Sequence, residues 1–391
     1  MNIDIIKTFK NKLCNLLKKI NNDVKCRNSK IIQFRDIIYY SSLIVGNNES
    51  YDVVNSKLKI CNLLNVSKNT LVKQRNKLNY DCINQLNDGL LTHIYDLGKK
   101  RIIGVDGTYI NLLKSLNKYE FTISRNKNYC IALLSTLFDV EKEIPINYYL
   151  SKTRDERNSL IKQLKYVRPN DILIMDRGYF SKYLLTKLTM CNIKLIFRLR
   201  KNLKILKNLK NSTDYITNIS YNKKFIQFRL IKYVVNNKIY YLGTTIYNKS
   251  ISYLKNLYWK RWKTEIHFKY SKYNLSLKEL NSKTENTVRQ DILINQFIFI
   301  ISSYFQYVLQ IDIKKNYKIN TTNHLNITIN QLLYLLFYKK STINNINEII
   351  RILSISKQVI VSVKNNISYE RIKKRPSSKW CQYGNKFKMN H

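Results

Sequence analysis

The sequence predicts an α/β core set between two helical regions, and three observations carry that expectation. Between residues 101 and 200, short apolar runs of strand type alternate with amphipathic runs of helix type. Residues 1–97 and 311–391 carry mainly helical patterning, with a basic, turn-rich tail closing the second stretch. Residues 201–250 change texture again to a two-residue alternation, as in "FIQFRLIKYVVNNKIYYLGTTI". With 44% hydrophobic and 12% aromatic residues, the chain has ample material for a buried core.

The N-terminal region, 1–97, consists of helices separated by Asn-rich turns. Within it, residues 58–78 ("LKICNLLNVSKNTLVKQRNKL") suggest a short helix ending near Leu64 and a left-handed turn at Asn65. Ser67 is placed to cap a following helix. That is the anatomy of a helix-turn-helix, whose second helix would offer Lys68, Asn69, Lys73, Gln74 and Arg75 to a DNA major groove. An ordinary helical hairpin carries the same pattern, so both readings stand.

The core, 98–310, opens with "RIIGVDGTYINLL", an apolar strand running into Asp106. "NYCIALLSTLFDV" and "EIPINYYLSK" are two further strands, and "RDERNSLIKQLKYV" is a helix. Asp155 and Glu156 at its start are acids of the kind a helix N-terminus favours. "DILIMDRGYF" supplies a buried-type strand, Ile172 to Met175, ending in Asp176. A helix over about 181–190 and the strand "IKLIFRLRK" follow. Three strands, a helix, a strand, a helix and a strand is the order of a ribonuclease H-like core. The stretch 201–250 is then a β-rich insertion, with Asn236-Asn237 suited to a hairpin turn. Helices follow, ending in the tail "KKRPSSKWCQYGNKFKMNH".

The formal charge is +44, from 69 Lys and Arg against 25 Asp and Glu. Such an excess calls for a polyanion, of which nucleic acid is the commonest, although an AT-rich coding sequence also inflates lysine. The seven cysteines are scattered and never spaced as Cys-x-x-Cys, which argues against a disulfide framework or a cysteine zinc site. His93, His267, His324 and His391 show no zinc-like spacing, and no Gly-rich phosphate loop is present. "MNIDIIKTFKNKL" makes a poor signal peptide. The apolar segment 292–311 is broken by Asn295, Gln296 and Gln306, as befits a buried helix rather than a membrane span. The expectation is a soluble, intracellular protein that works wherever its DNA is and needs no membrane.

Two aspartates ending strands can line a cleft, and three converging acids can hold two divalent cations. The third acid is Glu265, one of 10 glutamates, in "YWKRWKTEIHFKYSK". At about 100° per residue, Tyr258, Arg261, Glu265 and Lys272 fall on one stripe of a helix. The same projection sends Trp259, Trp262, Ile266, Tyr270 and Tyr273 to the core, and Lys260, Lys263, Thr264, His267 and Ser271 to solvent. Glu265 is then either one rung of a surface ion-pair ladder or a metal-binding carboxylate flanked by groups that grip phosphate.

Those four residues match Tyr-x2-Arg-x3-Glu-x6-Lys without a gap, and the chain thereby resembles the IS4-type DDE transposase family. "GVDGTY" and "MDRGYF" are similar to the surroundings of that family's two catalytic aspartates, and the likeness runs over roughly 98–310. It implies that Asp106, Asp176 and Glu265 form a metal-binding triad for two Mg2+ ions, or Mn2+ in their place. It implies that Tyr258, Arg261, Lys272 and Arg177 contact DNA phosphates. The implied partners are double-stranded DNA, as element terminal repeats and as target, and a second copy of the chain on that DNA. The implied activity is cleavage at the element end followed by strand transfer. Better-known members hold a flipped base against a tryptophan of the insertion. None lies between residues 200 and 250 here, where Tyr221, Phe225, Phe228 and Tyr233 are available instead. Two alternatives remain open: a catalytically inactive, transposase-derived DNA-binding protein, and a ribonuclease H-like nuclease without strand transfer.

Overall fold

The structure, a computed structural model, describes residues 3–23, 32–95, 99–209, 212–314 and 316–363. The expected basic tail lies outside the described residues. Five helices come first: α1 (Ile3–Asp23), α2 (Phe34–Asn47), α3 (Tyr51–Ile60), α4 (Lys68–Lys77) and α5 (Tyr80–Ile94). Strands β1 (Ile102–Leu112), β2 (Thr122–Ile123), β3 (Cys130–Asp139) and β4 (Ile144–Ser151) follow. Then come α6 (Glu156–Gln163), β5 (Ile172–Met175), α7 (Lys182–Met190) and β6 (Lys194–Arg198). The stretch that reads as an insertion forms β7 (Asp214–Tyr221), β8 (Lys224–Val235) and β9 (Lys238–Thr244). Next are α8 (Ile251–Trp259), α9 (Trp262–Tyr273), β10 (Glu279–Leu280) and the long α10 (Glu285–Gln310). The described chain ends with β11 (Tyr317–Ile319), α11 (Thr321–Ile327), α12 (Leu333–Tyr338), α13 (Ile343–Gln358) and β12 (Ile360–Ser362).

The chain divides into two compact units. Of the described residues, one unit takes those within 95–108 and 133–269, and the other takes the rest. The first is a mixed sheet with helices on both faces, its strands in the order β4-β3-β1-β5-β6-β9-β8-β7. β1, β5 and β6 run parallel, while β3 with β4 and β6 through β9, β8 and β7 pair antiparallel. The insertion therefore extends the central sheet rather than standing apart from it. All four residues of β5 are buried, as expected of a strand covered on both faces. Leu173 and Met175 pack with Leu160 of α6 and with Leu184, Leu185 and Leu188 of α7. Ile172 and Ile174 pack on the opposite face with Leu254, Leu257 and Tyr258 of α8. Each such side chain contributes roughly 1.5–3 kcal/mol by leaving water.

Local chemistry sets the turns and caps. Asp155, Ser181 and Ser250 cap α6, α7 and α8 by accepting from backbone N–H groups of the first turn. Asn236 and Asn237 take φ of 47° and 58° between Val235 and Lys238, the two-residue hairpin that the Asn-Asn pair predicts. At the start of β1, the Arg101 guanidinium bonds Asp171, Nη2 to Oδ2 at 2.6 Å, and both side chains are buried. That pair holds the beginnings of β1 and β5 side by side.

The helical unit is organised around α10, which runs against α2 and α5. Among the described residues α10 is the one helix long and apolar enough to cross a membrane, and most of it is buried. Of its polar interruptions, Asn295 and Gln296 are buried and Gln306 is half-buried; the Asn295 amide donates to Leu275 O at 3.3 Å and the Gln306 amide to Thr321 Oγ1 at 3.2 Å. The helix pair α3 and α4 is present, with Ser67 as the cap of α4. The turn between them differs from expectation. α3 stops at Ile60, and Asn62, not Asn65, takes the left-handed conformation at φ 52°. The Leu63 N–H folds back to Leu58 O, closing the helix four residues before Leu64.

Candidate active site

Strand register brings the two aspartates together. Val105 of β1 pairs with Met175 of β5, so the next residues, Asp106 and Asp176, leave neighbouring strands at the same level. Strands lie about 4.8 Å apart, which sets the spacing of these two backbones. Asp106 is not at a strand end, as the apolar run suggests, because β1 continues to Leu112. It is instead the first residue beyond the stretch paired with β5.

The third acid arrives from α9. A methyl group on Gly104 would overlap Thr264 Oγ1, so α9 comes down on β1 where only glycine leaves room. That landing places Glu265, in the first turn of α9, within reach of the strand residues. Arg261, at the break between α8 and α9, completes the link. Its Nη1 lies 3.1 Å from Asp106 Oδ2 and its Nη2 2.5 Å from Glu265 Oε1. Its guanidinium also sits over the Tyr258 ring, 5.9 Å from the centroid. Tyr258, Arg261, Glu265 and Asp106 thus form one connected group.

Charge is held under tension here. Burial raises the Asp106 pKa to about 6; Arg261 and the Gly107 N–H oppose this, while Glu265 and Glu156 reinforce it. Burial pushes the Tyr258 phenol up to about 12, against the pull of Arg261. Burial also works against the Arg261 charge, but Tyr258, Asp106 and Glu265 outweigh it and its pKa is raised. Asp176 Oδ1 is buried and accepts no hydrogen bond.

Among the described residues, no three His, Cys, Asp or Glu side chains stand close enough to enclose an ion; Arg261 bridges two of the acids. The donor chemistry nonetheless suits a hard divalent cation. It consists of carboxylate oxygens, one of them buried without a donor.

Glu156 is an acid at the start of α6, as the sequence predicts, and its surroundings add to that reading. It lies in the first turn of α6 and is half-buried there. Its Oε1 is 3.2 Å from where a Cβ on Gly107 would lie, and its Oε2 3.7 Å from where one on Gly178 would lie. The carboxylate therefore leans over the glycines that follow Asp106 and Asp176. The signal for that placement is an acid just after the third long strand of the core.

The helical projection of residues 258–272 has the wrong face buried. Trp259 and Trp262 are 55% and 47% exposed, whereas Thr264, His267 and Ser271 are buried. Leu257, Tyr258, Arg261, Thr264, His267, Phe268 and Ser271 are buried and share one side of the projection, so the period holds across the break at Lys260 and Arg261 and only the side assigned to the core differs. Lys260 and Lys263 do reach solvent, paired with Glu141 and Glu143. His267 is stacked on Phe138, ring centroids 4.5 Å apart, with Nε2 2.5 Å from the Tyr148 hydroxyl.

Arg177 is exposed and lines a cleft of about 500 Å³ with Arg198, Arg200, Lys201 and Tyr240. Lys272, toward the far end of α9, belongs to the helical unit; burial and then Lys278 lower its pKa. Of the insertion aromatics, Phe225 is 75% exposed and Phe228 is buried against Phe180 and Phe197. Phe228 is therefore not available to stack on a base. Tyr221 meets Tyr183, and Tyr233 stacks on Tyr240.

On α4, Asn69 and Lys73 are exposed, Gln74 is half-buried and Lys68 pairs with Asp52. Arg75 corrects the expectation. It is fully buried, bonding Asp291, Gln290 Oε1 at 3.1 Å and the Tyr51 hydroxyl at 2.8 Å. Such a side chain cannot reach DNA.

None of the curated proteins matches the chain. Residues 97–301, more than half of it, match the family described as "Transposase DDE domain". The matched span contains Asp106, Asp176 and Glu265; strand register sets Asp106 beside Asp176, and Arg261 bonds Asp106 and Glu265. On that match the chain belongs to the transposase DDE domain family.

Proposed function

We propose that the protein is an IS4-type DNA transposase that binds the ends of a mobile element and catalyses metal-dependent cleavage and strand transfer. The observation that carries the reading is the Val105–Met175 register, which sets Asp106 beside Asp176 while Arg261 ties Asp106 to Glu265. The strand order β4-β3-β1-β5-β6, with the last three parallel, supports a ribonuclease H-like core. Asp106, Asp176 and Glu265 would hold Mg2+, or Mn2+ in its place. When bound, a divalent pair supplies an activated oxygen nucleophile and neutralises charge on the leaving oxygen.

The other residues act on DNA. Arg261 offers a planar fork of donors to a phosphate, with Tyr258 packed beneath it. Arg177, next to Asp176, leads into the cationic cleft of Arg198, Arg200 and Lys201, which suits a phosphate backbone. Lys272 matches the same signature and would contact phosphate. Lys68, Asn69, Lys73 and Gln74 on α4 would read the element end, and two copies would act together on paired ends.

The test uses DNA carrying the terminal repeats of the protein's own element, with Mg2+. Wild type should cleave it. Glu265→Gln and Asp176→Ala should fold and bind DNA in a gel shift, yet cleave slower by orders of magnitude. Cleavage at the wild-type rate by either variant would overturn the triad.

A further inference from the structure

We propose that Glu156 is a fourth acidic ligand of the divalent cation, acting from the Asp176 side of the site; this rests on the metal reading above. A helix-terminus role does not explain its position. Asp155 already caps α6, its Oδ1 accepting from the Arg157 and Asn158 N–H groups at 3.0 Å each. Asp155 is exposed, as a cap with no other duty would be, while Glu156 is half-buried. Its Oε1 lies over Gly107, where a Cβ would crowd it at 3.2 Å, and its Oε2 faces Gly178 at ordinary contact distance.

Glu156 has no cation bonded to it, although the Arg157 charge acts on it electrostatically. Arg261 serves Asp106 and Glu265. Arg157, adjacent in sequence, donates to Gly178 O at 2.9 Å and Phe180 O at 3.1 Å instead. Among the described residues, neither the Glu156 nor the Asp176 carboxylate has an ion-pair partner. The Tyr179 hydroxyl is fully buried among the same acids and has no hydrogen-bond partner. Glu156, Asp106 and Asp176 all act on it electrostatically. Asp176 Oδ1 and the Tyr179 hydroxyl are buried without a hydrogen-bond partner, which is costly. A hard cation bound by oxygen ligands removes that cost, and a carboxylate from α6 adds one more oxygen to the set supplied by the strands and α9.

The experiment needs no DNA and no turnover. The full chain is titrated with Mn2+ by calorimetry, as wild type and as Glu156→Gln, Asp155→Asn and Asp176→Asn, with circular dichroism to confirm folding. Glu156→Gln should weaken Mn2+ binding at least about tenfold, while Asp155→Asn titrates like wild type. Wild-type affinity in Glu156→Gln, with loss in Asp176→Asn, would overturn the assignment and leave the metal site standing. Wild-type affinity in Asp176→Asn as well, or no Mn2+ uptake by wild type, would remove the metal reading and this inference together. Should Glu156→Gln not fold, Glu156→Asp keeps the charge, withdraws it by one methylene and is judged in the same way.

Discussion

The Arg261 guanidinium joins Asp106 to Glu265, with one nitrogen on each carboxylate at 3.1 and 2.5 Å. One cation thus neutralises two acids that the chain brings from β1 and α9. The same acids are the ones proposed to bind metal, so the guanidinium and the metal share ligands. Arg261→Ala should therefore destabilise the metal-free protein by on the order of 3 kcal/mol, the cost of leaving buried charge unpaired. Mn2+ should then raise the melting temperature of the variant by more than it raises that of wild type. Thermal melts with and without Mn2+ check this; equal shifts would mean that Arg261 and metal do not share these carboxylates.

Acid should destabilise the fold through its buried histidines. Burial holds the His267 pKa down to about 3 from 6.5, and that of His324 to about 4. Both stay neutral in the folded chain and take up a proton on unfolding below pH 6.5. Their contribution is fully present above 6.5 and is lost as pH falls toward those folded values. Each costs roughly 1.4 kcal/mol per pH unit in that window. Asp106 acts in the opposite sense. With its pKa raised to about 6 from 3.8, it favours the folded state as pH falls through that interval. His267→Gln should melt with a shallower acid dependence between pH 6.5 and 4.5. An unchanged slope would show that His267 already carries its proton when folded.

The parts of this structure legible in the sequence are those decided locally. The β5 strand, the helix after it and the Asn236-Asn237 hairpin follow from apolar run length and from the ease with which asparagine takes positive φ. Asp176 was legible because the buried strand β5 ends before it, and Asp106 as the end of an apolar run, although β1 itself continues to Leu112. The rest depended on contacts between distant segments. In residues 258–272 the period shows two sides but not which one meets the sheet: Thr264, His267 and Ser271 are buried while Trp259 and Trp262 are exposed. Gly104 is an ordinary strand glycine until α9 lands on it through Thr264. Glu156 has the position of a helix-terminus charge, and only the fold turns it over Gly107 and Gly178. Arg75, a cation on a polar helix, pairs with Asp291, a partner that no local pattern could connect to it.

That pairing separates two residues of α4 that the sequence puts in one class. Arg75 is 1% exposed and spends its guanidinium on Asp291, Gln290 and Tyr51. Lys73, two positions earlier, is exposed. Arg75→Ala leaves Asp291 charged and buried beside a cavity, and should cost about 3–5 kcal/mol of stability. Any loss of DNA binding in that variant should follow its unfolding and be recovered under conditions where it stays folded. Lys73→Ala touches no packed surface and should change stability by less than about 0.5 kcal/mol. If α4 lies along the element end, that variant should bind more weakly, with the slope of log affinity against log salt reduced by about one. Urea unfolding and binding isotherms at several salt concentrations measure both quantities for both variants. Unchanged affinity and salt slope in Lys73→Ala would make α3 and α4 a structural hairpin that does not meet DNA through this residue.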